Sequence, residues 1–134
     1  MFKSEIQLRV RYSETDRMGF VYYGNYAQYF EVARVEALRE IGFSYKEMED
    51  QGILLPVIDF SIRYFKPALY DDLLTIKTTI EELPSVKITF NYQCFNEREI
   101  LLNSGKVTLA FTNSKTGRPM APPDWFMNEI KKYF

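Results

Sequence analysis

The stretch YSETDRMGFVYYGNYAQYFEVARVEALREIG, Tyr12–Gly42, carries a compact acidic turn straight into the strongest helical pattern of the chain. Tyr26, Tyr29, Phe30, Ala33, Ala37 and Leu38 recur at helical spacing, and Glu31, Arg34, Glu36, Arg39 and Glu40 supply a more polar side. This periodicity predicts an amphipathic helix from about Asn25 to Ile41. Gly42 suits its end, because glycine adopts the left-handed conformation without the cost a side chain brings. Asn25 is a candidate N-cap. Two carboxylates, Glu14 and Asp16, stand immediately before this helix.

Working outward, Ile6, Leu8, Val10 and Tyr12 alternate with Gln7, Arg9 and Arg11, which predicts a first strand over Phe2–Tyr12 with one packed and one polar face. FSYKEMEDQG reads as a short helix, and LLPVIDFSIRYF as a strand with Pro56 at its start or on an edge. LLTIKTTIEEL and VKITFNYQCFN flank Pro84 and Ser85 as a hairpin. ILLNSGKVTLAFTN supplies another strand, with a bulge expected near Gly105. SKTGRP makes a turn before a terminal helical segment around Asp124–Lys132. Consecutive strands without long helices between them imply a largely antiparallel sheet covered by helix, an α+β arrangement. No repeat, low-complexity tract or long linker divides the 134 residues, so one domain spanning 1–134 is expected.

The aromatic fraction is high at 16%, enough rings to fill a core, an interface or a ligand pocket. Seventeen Lys and Arg oppose eighteen Asp and Glu, and no long basic run offers the footprint of a nucleic-acid binder. The single cysteine, Cys94, can form neither an internal disulfide nor a thiolate metal cluster. With no basic and hydrophobic leader and no apolar run of the roughly 18 residues a membrane helix needs, the expectation is a cytoplasmic protein without membrane insertion. The chain has no histidine, which excludes His-Asp dyads, Ser-His-Asp triads and histidine-rich zinc sites within it. Calcium-loop, P-loop and dinucleotide glycine motifs are also missing, so no metal or cofactor is expected.

Carboxylates must therefore carry acid–base chemistry. At the predicted helix start, Tyr23, Gly24 and Asn25 offer backbone N–H groups without partners in the first turn, and the aligned peptide dipoles favour negative charge there. A carbonyl placed against them is polarised, and Asp16 on the adjoining turn can attack it or activate water. Glu14 reads as a solvent charge or a support for a neighbouring side chain, with acid–base assistance as the alternative. Gly19 and Gly24 suit left-handed backbone or the close approach of a ligand.

On these residues the stretch resembles the hotdog-fold acyl-CoA thioesterases of the 4-hydroxybenzoyl-CoA thioesterase type. The matching pattern is YSETDRMGFVYYGNYAQYFEVAR, with Asp16, Gly19, Val21, Tyr22, Asn25, Tyr26, Phe30, Ala33 and Arg34. The resemblance implies a single hotdog domain with a long central helix wrapped by an antiparallel sheet. It also implies hydrolysis of an acyl-CoA thioester to a free carboxylic acid and CoA. The family's functional aspartate falls on Asp16, as nucleophile or as general base, and its backbone donor falls on Tyr23, with Gly24 as neighbour. Relatives with histidine at that position form a branch from which Tyr23 departs, although the backbone donor is retained.

Tyr22, Tyr26 and Phe30 read as lining an acyl channel or as core or interface rings, and Asn25 as a helix cap or as orienting the channel entrance; by the same resemblance Arg63 and Lys66 contact CoA, with a solvated strand edge as their alternative. The implied partners are an acyl-CoA substrate, or an acyl-carrier-protein thioester, and a second copy of the chain in a homodimer or homotetramer. A noncatalytic acyl-CoA or acyl-carrier-protein binding module is the alternative.

Overall fold

A computed structural model of the chain describes residues 1–134. Strand β1 (Phe2–Arg9) leads through a 3-10 turn, Tyr12–Glu14, to helix α1 (Asn25–Ile41) and the short helix α2 (Tyr45–Asp50). Then come β2 (Ile53–Leu54), β3 (Val57–Tyr64), β4 (Leu73–Ile80), β5 (Lys87–Phe95), β6 (Leu101–Ala110), β7 (Thr112–Asn113) and helix α3 (Asp124–Ile130). Five strands form one antiparallel sheet in the order β1-β4-β5-β6-β3, and β2 pairs with β7 apart from it.

Strand alternation decides which sheet face is covered. Leu74, Ile76, Thr78 and Ile80 of β4 and Ile88, Phe90, Tyr92 and Cys94 of β5 are buried, while Lys77, Lys87 and Gln93 point to solvent. Against the buried face α1 lays Tyr26, Tyr29, Phe30, Ala33, Ala37, Leu38 and Ile41 in one stripe. Ala33 and Ala37 are fully buried, so the helix backbone approaches the sheet closely there. Each fully buried Leu, Ile or Phe in this layer contributes about 1.5–3 kcal/mol. Gly42 ends the helix as expected, at φ 117° with its N–H on the Leu38 and Arg39 carbonyls. At the other end Gly24, not Asn25, occupies the cap position, because the Asn25 side chain is drawn elsewhere.

Two local expectations change. The ladder of β1 stops at Arg9 rather than Tyr12: its partner β4 begins only at Leu73, and Asp71 turns the chain away at φ 69°. No bulge forms at Gly105, which pairs in register with Tyr92 and Ile62. The register shifts lie instead at Cys94/Phe95 and at Val57/Asp59. Glycine is needed at 105 for space, since a Cβ there stands 2.5 Å from Cε2 of Phe30. Phe30 is fully buried and stacked on Tyr92 at 4.4 Å, so it cannot yield. Gly105→Ala is expected to destabilise the fold by about 1–3 kcal/mol, the usual range for overpacking. Urea unfolding measures it, and an unchanged midpoint rejects the packing argument.

Strand β3 is the outer strand beside β6 and follows Pro56 directly, the edge placement that a proline tolerates. Its burial does not alternate. Val57 and Ile58 are each 48% exposed, Phe60 38% and Tyr64 47%, so apolar side chains lie open along an unpaired strand edge. Monomeric proteins usually blunt such edges with charge.

Candidate functional site

Asp16 sits half-buried at the tip of a small closed loop between the 3-10 turn and α1. The loop is zipped at its base by a Thr15–Val21 bridge, and the Tyr22 N–H donates to the Glu14 carbonyl at 2.8 Å. At its tip the Asp16 N–H donates to the Phe20 carbonyl at 2.7 Å, and Gly19 takes φ 80° to close the turn. Asp16 Oδ1 accepts from the N–H groups of Met18 (2.9 Å) and Phe20 (3.2 Å). Oδ2 takes no hydrogen bond from the protein, which leaves it available to a ligand.

The start of α1 holds two unspent donors. The Tyr22 N–H is engaged by Glu14, and the Asn25 N–H by the Tyr22 carbonyl, but the N–H groups of Tyr23 and Gly24 have no partner. Gly24 is not left-handed. Its φ is −67°, and a Cβ there meets the Tyr22 ring at 2.9 Å, so glycine makes room for Tyr22. Tyr22 and Tyr23 are exposed, with ring centroids 4.7 Å apart.

Asn25 is half-buried, and its Nδ2 donates to the Glu14 carbonyl at 2.8 Å, tying helix to loop rather than capping. Tyr26 is buried, its hydroxyl accepting from the Ala68 N–H at 3.2 Å, and burial pushes its phenol up to about 12. It is therefore a neutral group at physiological pH. Tyr64 of β3 adds a ring 5.7 Å from Tyr26 and a hydroxyl 3.5 Å from the Tyr23 carbonyl. Sequence reasoning left Tyr64 out; it lies next to Arg63, but its approach to α1 spans 41 residues.

The structure brings Asp16, Tyr22, Tyr23, Gly24, Asn25 and Tyr26 together at one end of α1. Phe30 lies deeper, enclosed in the core. Arg63 and Lys66 are both exposed, but Arg63 alternates with Tyr64 and so lies on the sheet face away from α1. There it lines a cavity of about 600 Å³ with Lys3, Lys77 and Lys106. Lys66 follows β3, with its N–H on the Leu102 carbonyl.

Glu14 is far from a solvent charge, being 6% exposed. Its Oε1 accepts from the Arg11 N–H (2.8 Å) and the Tyr29 hydroxyl (2.9 Å), and its Oε2 from Arg11 Nε (3.1 Å) and an Arg11 terminal nitrogen (2.8 Å). Burial pushes this carboxyl up, but the hydrogen bonds from Arg11 and Tyr29 together outweigh burial and hold it below 4.5. A depressed folded value means that the stabilisation is fully present above the unfolded value and is lost as pH falls through the folded one. Glu14→Gln is therefore expected to flatten the acid limb of stability below about pH 4.5. Urea midpoints between pH 3 and 7 test this, and parallel curves for both proteins reject it.

Residues 10–130 match the family model of the thioesterase-like superfamily. The acyl-CoA thioesterase YbgC of Haemophilus influenzae is 32% identical over 128 residues, covering 95% of this chain and 90% of the relative. The acyl-CoA thioester hydrolase YbgC of Escherichia coli O6:H1 is 30% identical over 125 residues, 93% of each chain. A crystal structure of a DHNA-CoA thioesterase from Staphylococcus aureus superposes with a TM-score of 0.93 at 36% identity, covering 99% of this chain and 91% of that one.

Proposed function

Because the chain belongs to the thioesterase-like superfamily and is an acyl-CoA thioesterase of hotdog fold, we infer that its reaction is carried by Asp16 and by the N–H groups that open α1. In this reading one hotdog domain spans 1–134, and the 17-residue α1 is the central helix about which the antiparallel sheet wraps. The observation that carries the site assignment is the pairing of a carboxylate oxygen free of protein partners, Asp16 Oδ2, with two unpartnered N–H groups, Tyr23 and Gly24, on segments joined through Glu14.

The thioester carbonyl oxygen accepts from Tyr23 and Gly24, which stabilises the charge it gains as the carbon becomes tetrahedral. Asp16 either attacks the carbonyl carbon, giving a mixed anhydride that water then opens, or removes a proton from the attacking water. Both routes break the C–S bond, release CoA as the thiol and leave a free carboxylic acid. Tyr22 and Tyr26 border the acyl group, with Asn25 holding the entrance, while Phe30 stays enclosed in the core and does not reach it. Lys66, two residues before Ala68 at the Tyr26 hydroxyl, serves CoA's phosphates. Arg63 does so only around the edge of β3.

The open apolar edge of β3 belongs to the same reading, as the face on which a second copy completes the site in a homodimer, or in a dimer of such dimers. An acyl-carrier-protein thioester is a second candidate substrate, and the cytoplasm is the proposed compartment, in keeping with one buried unpaired cysteine. The test follows free thiol released from a panel of aryl-CoA and straight-chain acyl-CoA substrates. Release above the uncatalysed rate is expected for at least one class; a flat panel turns the reading toward carrier-bound substrates or simple binding.

A further inference from the structure

Resting on the assignment of Asp16 and the α1 donors, we propose that Glu14 is a positioning residue that sets the separation of the Asp16 carboxylate from the Tyr23 and Gly24 N–H groups. Asp16 and these donors belong to different segments, an irregular loop and a helix start, so their spacing needs an external brace. Glu14 supplies it from both its backbone and its side chain. The backbone carbonyl takes the Tyr22 N–H and the Asn25 side chain, each at 2.8 Å, one just before the free donors and one just after them. The carboxylate takes the Tyr29 hydroxyl one turn further along α1, and Arg11 closes over it from the end of the first strand segment.

All four lone-pair positions of this carboxylate are occupied, and none is left for substrate, which separates Glu14 from Asp16 two residues away. The Glu14 side chain is 8% exposed, whereas Arg11 is 77% exposed, so the guanidinium acts as the outer cover of the brace. A displacement of about 1 Å between reacting groups can cost up to about 100-fold in rate, so a loosened brace reads out in turnover before it reads out in binding.

Two variants test this. Glu14→Gln keeps the shape but places an amide N–H₂ among donors. Tyr29→Phe deletes only the tie between carboxylate and helix, and leaves Glu14 paired with Arg11. At a temperature where melting curves show each protein fully folded, both are expected to lower kcat by about 10- to 100-fold. KM is expected to stay within about threefold of wild type. The double variant is expected to be no slower than Glu14→Gln alone, because the two residues act through one hydrogen bond. Unchanged kcat in the folded Tyr29→Phe protein, a fall carried by KM, or multiplicative losses in the double variant overturns the positioning role while leaving Asp16 in place. Turnover that Asp16→Asn leaves intact removes the assignment on which the brace rests, and the Glu14 role with it.

Discussion

Asp16→Asn is expected to fold, to bind acyl-CoA nearly as wild type does, and to lose at least about 100-fold in turnover, the lower end for a well-placed catalytic group. The substitution is clean for a structural reason. Oδ1 is the atom that accepts from Met18 and Phe20, and an asparagine oriented with its oxygen there keeps both bonds and the closed loop. What changes is the free position, where an amide replaces the anionic Oδ2 and can neither attack a carbonyl nor take a proton from water. Thiol release with wild type and variant in parallel gives the rate, and melting curves verify the fold. Near-wild-type turnover in the folded variant removes Asp16 from the mechanism. In single turnovers in ¹⁸O-labelled water, label found on Asp16 marks the anhydride route opened at the Asp16 carboxyl carbon, since the general-base route leaves none on the enzyme.

If the proposed homodimer forms through β3, Phe60→Glu is expected to split it and to lower activity at least tenfold with Asp16 untouched. Phe60 lies on the unpaired edge strand β3, and Val57, Ile58 and Tyr64 of the same strand are also open. A glutamate forced into that face is an uncompensated buried charge, worth about 3–5 kcal/mol. By the usual conversion this weakens association about 100- to 1,000-fold or more. Analytical ultracentrifugation at micromolar concentration reads the mass. Far-UV circular dichroism guards against unfolding, and Val57→Glu provides a second variant farther from the core ring of Phe30. Monomers with full specific activity reject a shared site; a wild type that sediments as a monomer rejects the interface.

Periodicity made most of the elements legible. The apolar spacing from Tyr26 to Leu38 predicts a helix over about Asn25–Ile41, where α1 lies, and the alternation on either side of Pro84 and Ser85 predicts the hairpin of β4 and β5. Both signals are local, because a helix repeats within four residues and a strand within two. The boundary that failed, at the end of β1, depends on where a partner strand 64 residues away begins. The placement of Asp16 was legible, because a carboxylate in a turn before a helix start is a local arrangement; its catalytic role is a proposal. For Glu14 a support of a neighbouring side chain was one of two readings, and the local arrangement does not reveal that Tyr29 folds over it. Gly105 misled in the same way: a glycine in a strand pattern is compatible with a bulge, and only the buried ring of Phe30 explains it.

The chain's own order of residues thus dictated an antiparallel α+β domain, a helix from Asn25 to Ile41 and a carboxylate, Asp16, in the turn before it, through interactions that span a few residues each. Tertiary packing decided that Glu14 is a buried brace, that Asn25 ties rather than caps, that Arg63 lies across the sheet from Tyr64, and that β3 presents an open apolar edge. Burial and long-range contact are properties of which segments meet, and no window of neighbouring residues contains that information.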